Sequence, residues 1–124
     1  MRVLVDTHLV LWSLGAPSKL SRKARERIDA AEAFVSAASI WEIGIKAALG
    51  KLTADSDQIL EALAPAGYQL LAITGAHAAA AARLPPIHKD PFDRMLLAQA
   101  SHEPMILLTN DEVLKAYGGF VEVV

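Results

Sequence analysis

Short apolar runs alternate with amphipathic stretches along the whole chain, and most runs end on a polar or acidic residue. Arg2-Val3-Leu4-Val5 has no helical spacing and stops at Asp6-Thr7, the pattern of a buried parallel strand feeding a helix. A short apolar helix is predicted from His8 to Leu14, closed by Gly15 and a loop at Pro17. Ser18 to Ala31 carries Leu20, Ala24 and Ile28 at spacing four, with Arg22, Lys23, Arg25 and Arg27 on the other sides, and so predicts an amphipathic surface helix with a basic face. Ala33 to Ser36 reads as a second strand. Ser39-Ile40-Trp41-Glu42 then opens a helix to about Leu49, with Glu42 in its first turn and Gly50 as its stop.

The second half repeats the alternation. A helix from Asp55 to about Ala64 precedes a strand from Tyr68 to Ile73, an alanine-rich helix from Gly75 to Arg83, and an extended connector at Leu84-Pro85-Pro86-Ile87. Asp90-Pro91 marks the start of the next helix, because an aspartate caps free N–H groups and a first-position proline loses no helical bond. Met105 to Leu108 is a further strand, ending in Thr109-Asn110-Asp111; a short helix to Tyr117 and a plausible edge strand from Phe120 to Val124 complete the series. Strands alternating with helices predict an α/β fold: one domain over residues 1–124, a three-layer α/β/α sandwich around a mainly parallel sheet of four to five strands. Ligands of such sheets bind beyond the carboxyl ends of the strands.

Composition changes this picture in two places. The hydrophobic fraction of 53% exceeds what an ordinary soluble monomer needs, which points to apolar surface reserved for a partner chain. Cysteine is absent, excluding disulfides, thiolate catalysis and zinc–cysteine sites. No run approaches a membrane span and no signal peptide is evident, so a cytoplasmic protein without a membrane partner is expected. The net charge of −2 does not advertise a nucleic-acid binder, but gathering four acids around a cation would leave the remainder net positive.

The candidate chemistry lies in Asp6, Glu42, Asp93 and Asp111. Each follows a predicted strand or occupies the first turn of the next helix, which sets all of them on one rim of the sheet. Oxygen-only ligands of this kind suit Mg²⁺ or Mn²⁺, and such a centre fits phosphodiester hydrolysis. Ordinary helix-start roles exist for every one of them. Asp6 and Asp111 fit N-caps, Ser39-x-x-Glu42 fits a capping box, and Asp93 in a first turn is favoured by the helix dipole. Caps do not require convergence, however, and four converging carboxylates repel one another unless a cation is bound.

Val3-Leu4-Val5-Asp6-Thr7-His8, Ser36 to Lys46, His88 to Ala100 and Leu108-Thr109-Asn110-Asp111 together resemble the motif series of PIN-domain proteins, in particular the VapC-like toxin ribonucleases of bacterial toxin–antitoxin modules. The resemblance covers essentially the whole chain, in order. It implies a Mg²⁺- or Mn²⁺-dependent endoribonuclease that acts on RNA, forms a homodimer and is inhibited by a cognate antitoxin. By position, Asp6, Glu42, Asp93 and Asp111 match the family acids, the last being the least uniform. Thr7 and Thr109 match hydroxyls near the site, with simple capping as an equal alternative. Asp90 is expected to serve as the N-cap and Asp93 as the metal ligand.

Other residues leave alternatives open. Lys46, Lys51, Lys89 and Arg94 near the predicted mouth read either as solvated charge or as phosphate contacts, and Arg94 also as an offset to the acids. Trp12 and Trp41 read as core or interface anchors. His8, His77, His88 and His102 show no close ligand spacing, which discounts a zinc site. The rival readings are a non-catalytic PIN-like binding module, a stand-alone PIN nuclease without an antitoxin, and a receiver-like domain. The last wants an acidic pair after the first strand, where Thr7-His8 stand instead.

Overall fold

The first strand, β1 (Arg2–Val5), lies at the middle of the sheet and alternates its side chains between two cores. Val3 and Val5 face one core, with Val35, Ala33 and Leu108; Leu4 faces the other, with Leu107, Leu96 and Leu97. A strand buried on both faces needs cover on both sides, and the sequence provides it in helices. The computed structural model describes all residues from Met1 to Val124. Five strands, β1, β2 (Glu32–Ser36), β3 (Tyr68–Leu71), β4 (Ile106–Thr109) and β5 (Val121–Val123), pair in parallel in the order β3-β2-β1-β4-β5. The expected α/β sandwich with a parallel sheet is therefore present, and every strand pair is parallel.

Six α-helices cover the sheet: α1 (Thr7–Gly15), α2 (Arg22–Asp29), α3 (Ala37–Ala48), α4 (Ser56–Leu63), α5 (Gly75–Arg83) and α6 (Pro91–His102). Residues of α1, α2 and α4 build the first core, through Leu9, Val10, Ala24 and Leu63. Residues of α6 build the second, joined by Leu114 from a 3₁₀ helix at Glu112–Tyr117. Alanine-rich α5 packs along α6, where the fully buried His77 bonds Glu103 through Nε2. No helix is long and apolar enough to cross a membrane.

Three sequence expectations are corrected. The single helix over Ser18–Ala31 is instead a 3₁₀ turn at Pro17–Lys19 followed by α2, because the Ser21 side chain accepts from Ala24 N–H and starts the helix there. Leu20 keeps its place in the core from just outside the helix. Second, α3 begins at Ala37 rather than Ser39, since Ser36, the last residue of β2, caps it by accepting from Ala38 N–H. Glu42 therefore lies in the second turn, and no capping box joins it to Ser39. Third, β3 ends at Leu71, two residues short of the expected strand.

Candidate active site

The chain order sets where a site can form. From β1 the sheet grows one way through β2 and β3, then restarts on the other side of β1 with β4 and β5. The carboxyl ends of β1 and β4 therefore flank the switch point at which parallel sheets of this kind bind ligands. Asp6 follows β1 and Asp111 follows β4.

Asp6 is 4% exposed and caps α1, Oδ1 accepting from His8 N–H at 3.0 Å. Its Oδ2 accepts from Thr109 Oγ1 at 2.8 Å, and the same hydroxyl oxygen accepts Asp111 N–H at 3.1 Å. Thr109 thus ties the two acidic positions together across the switch point. Asp111 caps the 3₁₀ helix by accepting from Val113 N–H. Glu42 is buried; Lys46 Nζ, one turn on, donates to Oε2 at 2.7 Å, while Oε1 has no hydrogen-bond partner at all. Asp93 lies in the first turn of α6, where its Oδ2 meets His88 Nε2 at 2.7 Å. Asp90 is the N-cap, its Oδ1 accepting from Phe92 N–H and Asp93 N–H.

The carboxylates act on one another. Burial pushes Asp6 up from the ordinary carboxylate range; the bonds from Thr109 and His8 oppose this, and the Glu42 charge adds to it. Burial likewise pushes Asp93 up to about 6, opposed by the bond to His88 and reinforced by the charges of Asp6 and Asp90. Lys46 is raised chiefly by its bond to Glu42, with Asp90 and Asp93 contributing at longer range. Electrostatics thus joins Asp6 to both Glu42 and Asp93, and geometry joins Asp93 to Asp111: ligand atoms of His88, Asp93 and Asp111 all lie within 4.8 Å of one another.

Three predicted supporting residues have particular placements. Thr109 does bond a carboxylate, whereas the Thr7 hydroxyl donates to Ser39 Oγ at 2.8 Å inside the protein. Arg94 pairs with no carboxylate and donates only to backbone carbonyls. Lys46 is occupied by Glu42, while Lys51 joins Thr7, His8 and Lys46 in lining a cavity of about 210 Å³ beside Asp6. His88 is the site residue that sequence reasoning missed. Its signal was its position two residues before a strong cap, from which the chain folds back onto the first helical turn.

Residues 3–119 match the PIN domain, so the chain belongs to the PIN-domain family. Among curated proteins none matches it in sequence. Solved structures share its fold. A toxin–antitoxin complex from Klebsiella pneumoniae superposes with a TM-score of 0.69 at 17% identity, over 98% of this chain and 96% of that one. VapBC2 from Rickettsia felis, bound to a DNA fragment from its promoter, gives 0.71 at 11% identity over 100% and 98%. DNA-bound VapBC from Salmonella typhimurium gives 0.69 at 14% over 99% and 98%.

Proposed function

We propose that this chain, as a single PIN domain, is a cytoplasmic metal-dependent endoribonuclease and the toxin of a toxin–antitoxin module. The observation that carries the reading is the acid cluster at the β1/β4 switch point, in which a buried Glu42 oxygen is left without any partner. A buried unpaired carboxylate oxygen is costly, and the neighbouring Asp6 and Asp93 are pushed upward chiefly by burial, with like charges adding to it. A hard divalent cation with its bound waters would offset the carboxylate charge and give that oxygen a partner, so the donor set fits Mg²⁺ or Mn²⁺. Asp6, Asp93 and Asp111 would hold it directly, and Glu42 through one of its waters. Bound there, such a cation supplies Lewis-acid polarisation of a phosphodiester and eases deprotonation of water.

The chain's own residues divide the remaining work. Glu42, held at Oε2 by Lys46, takes the proton of the attacking water at Oε1. The water oxygen bonds to phosphorus as the phosphorus–oxygen bond to the leaving nucleotide breaks, and the leaving oxygen takes a proton from solvent. Thr109 fixes Asp6, Asp90 fixes the start of α6, and Thr7 braces α1 against α3 through Ser39. Lys51, on the wall of the cavity next to α1, would meet a substrate phosphate.

Partner surfaces follow from the same reading. Trp41, Leu60 and Leu70 are exposed around one apolar groove with Ile40 and Gly44. Such a surface supports the homodimer and the cognate antitoxin expected of a toxin of this family. The decisive experiment is incubation of the purified protein with total RNA, with Mg²⁺, with Mn²⁺ and with EDTA, and mapping of cut ends. Discrete cuts are expected only with metal; intact RNA under all three conditions would sink the reading. Asp90→Ser is expected to keep most of this activity, because serine caps about as well as aspartate. A loss as deep as that of Asp93→Ser would overturn the division of roles between the two acids.

A further inference from the structure

The acids are held by a second set of contacts that the acid series does not explain. Arg94 follows Asp93 on α6, yet its guanidinium donates to four carbonyls: Nη1 to Pro85 O at 3.0 Å and His88 O at 3.2 Å, Nη2 to Ala81 O and Leu84 O at 2.9 Å each. Ala81 and Leu84 stand at the carboxyl end of α5, where helical N–H partners run out and Ala81 O keeps only a long bond of 3.5 Å from Leu84 N–H. A planar fork of five donors can satisfy several such groups at once, which a lysine ammonium cannot match in geometry.

Tyr117 grips the same connector from the other side. It is the last residue of the 3₁₀ helix that Asp111 caps, and its hydroxyl accepts His88 N–H at 2.8 Å while donating to Pro85 O at 2.9 Å. Pro85 O thereby receives Ile87 N–H, Arg94 and Tyr117. Between these two anchors hangs the His88 ring, with Nε2 on Asp93 Oδ2.

We propose that Arg94 and Tyr117 are positioning residues of the metal centre. They lock the connector between α5 and α6 so that His88 holds the Asp93 carboxylate in place against Asp111. Asp93 comes from a helix and Asp111 from the far end of β4, so no local element fixes their separation. The clamp does so by joining both elements to one rigid, proline-stiffened turn. This inference rests on the metal-centre reading above. Its distinctive consequence is that metal affinity depends on two side chains that touch neither the metal nor the substrate.

The test is Mn²⁺ binding, followed by electron paramagnetic resonance of free Mn²⁺, at a temperature where circular dichroism shows each variant folded. Tyr117→Phe and Arg94→Ala are each expected to weaken Mn²⁺ binding by about tenfold. Arg94→Lys should fail to restore it, and Tyr117→Phe added to His88→Ala should cost nothing further, because Tyr117 acts through His88. Unchanged Mn²⁺ affinity in folded Tyr117→Phe and Arg94→Ala overturns the proposal and leaves both as ordinary packing residues. Wild-type protein that binds Mn²⁺ no better than Asp93→Asn would instead remove the metal centre itself, and this inference with it.

Discussion

Replacing Asp6 by asparagine is expected to lower metal-dependent RNA cleavage by about 10³-fold while leaving the fold in place. The side chain has two separable duties. One is structural: it caps α1 and receives the Thr109 hydroxyl. Asparagine caps as well as aspartate does, and a hydroxyl can turn to accept where it formerly donated. The other duty is charge. Asp6 is almost fully buried at the end of the central strand, with Glu42 and Asp93 near enough to act on it or be acted on by it. The amide removes that charge with little change of shape. Cleavage rates at saturating Mn²⁺, with a melting curve on the same sample, check the result. Asp6→Asn protein that melts like wild type and retains more than about a tenth of its activity would refute the role.

Asp6, Asp93 and Asp111 were legible in the sequence for a physical reason: each stands at a helix start, where local signals are strongest. Asp90-Pro91 announces α6, and Asp6 and Asp111 each end a β-rich run. Glu42 was legible as a residue but not in its place. Serines at 36 and 39 offer equal caps on paper, and the choice falls to Ser36 because β2 passes into α3 without a loop. Ser39 is then inside, bonded to Thr7. The spacing of Leu20, Ala24 and Ile28 correctly marked one buried face, yet the helix starts only at Arg22, since an extended residue can enter a core as well as a helical one. Arg94 and His88 were opaque for a different reason. Their partners are carbonyls and a carboxylate brought near by the packing of α5 on α6 and by a proline turn, and no periodicity encodes that meeting.

A fold that gathers buried acids carries them at a cost in stability, and this gives the second large effect. Without metal, the protein is expected to lose about 3 kcal/mol between pH 4 and pH 6 from Asp93 alone. The unfolded chain releases the Asp93 proton near the ordinary value of 3.8, whereas burial keeps it on the folded protein up to about 6. Over that window the native state binds more protons than the unfolded state, so stability is fully present below pH 4 and falls as pH rises. Asp6, also pushed up by burial, acts in the same direction. In melting temperature the change is on the order of 10 °C for a domain of this size. Asp93→Asn has no such proton to lose, so in EDTA at pH 7.5 it should melt above wild type. Mn²⁺ should then reverse the order, because a cation held at a thousand times its dissociation constant adds about 4.1 kcal/mol to whatever binds it. Melting curves from pH 4 to 7.5, with EDTA or Mn²⁺, test both halves. An Asp93→Asn variant that melts at or below wild type in EDTA at pH 7.5 would show that Asp93 ionises there at no cost to the fold, and the stability argument for a cation at this rim would go with it.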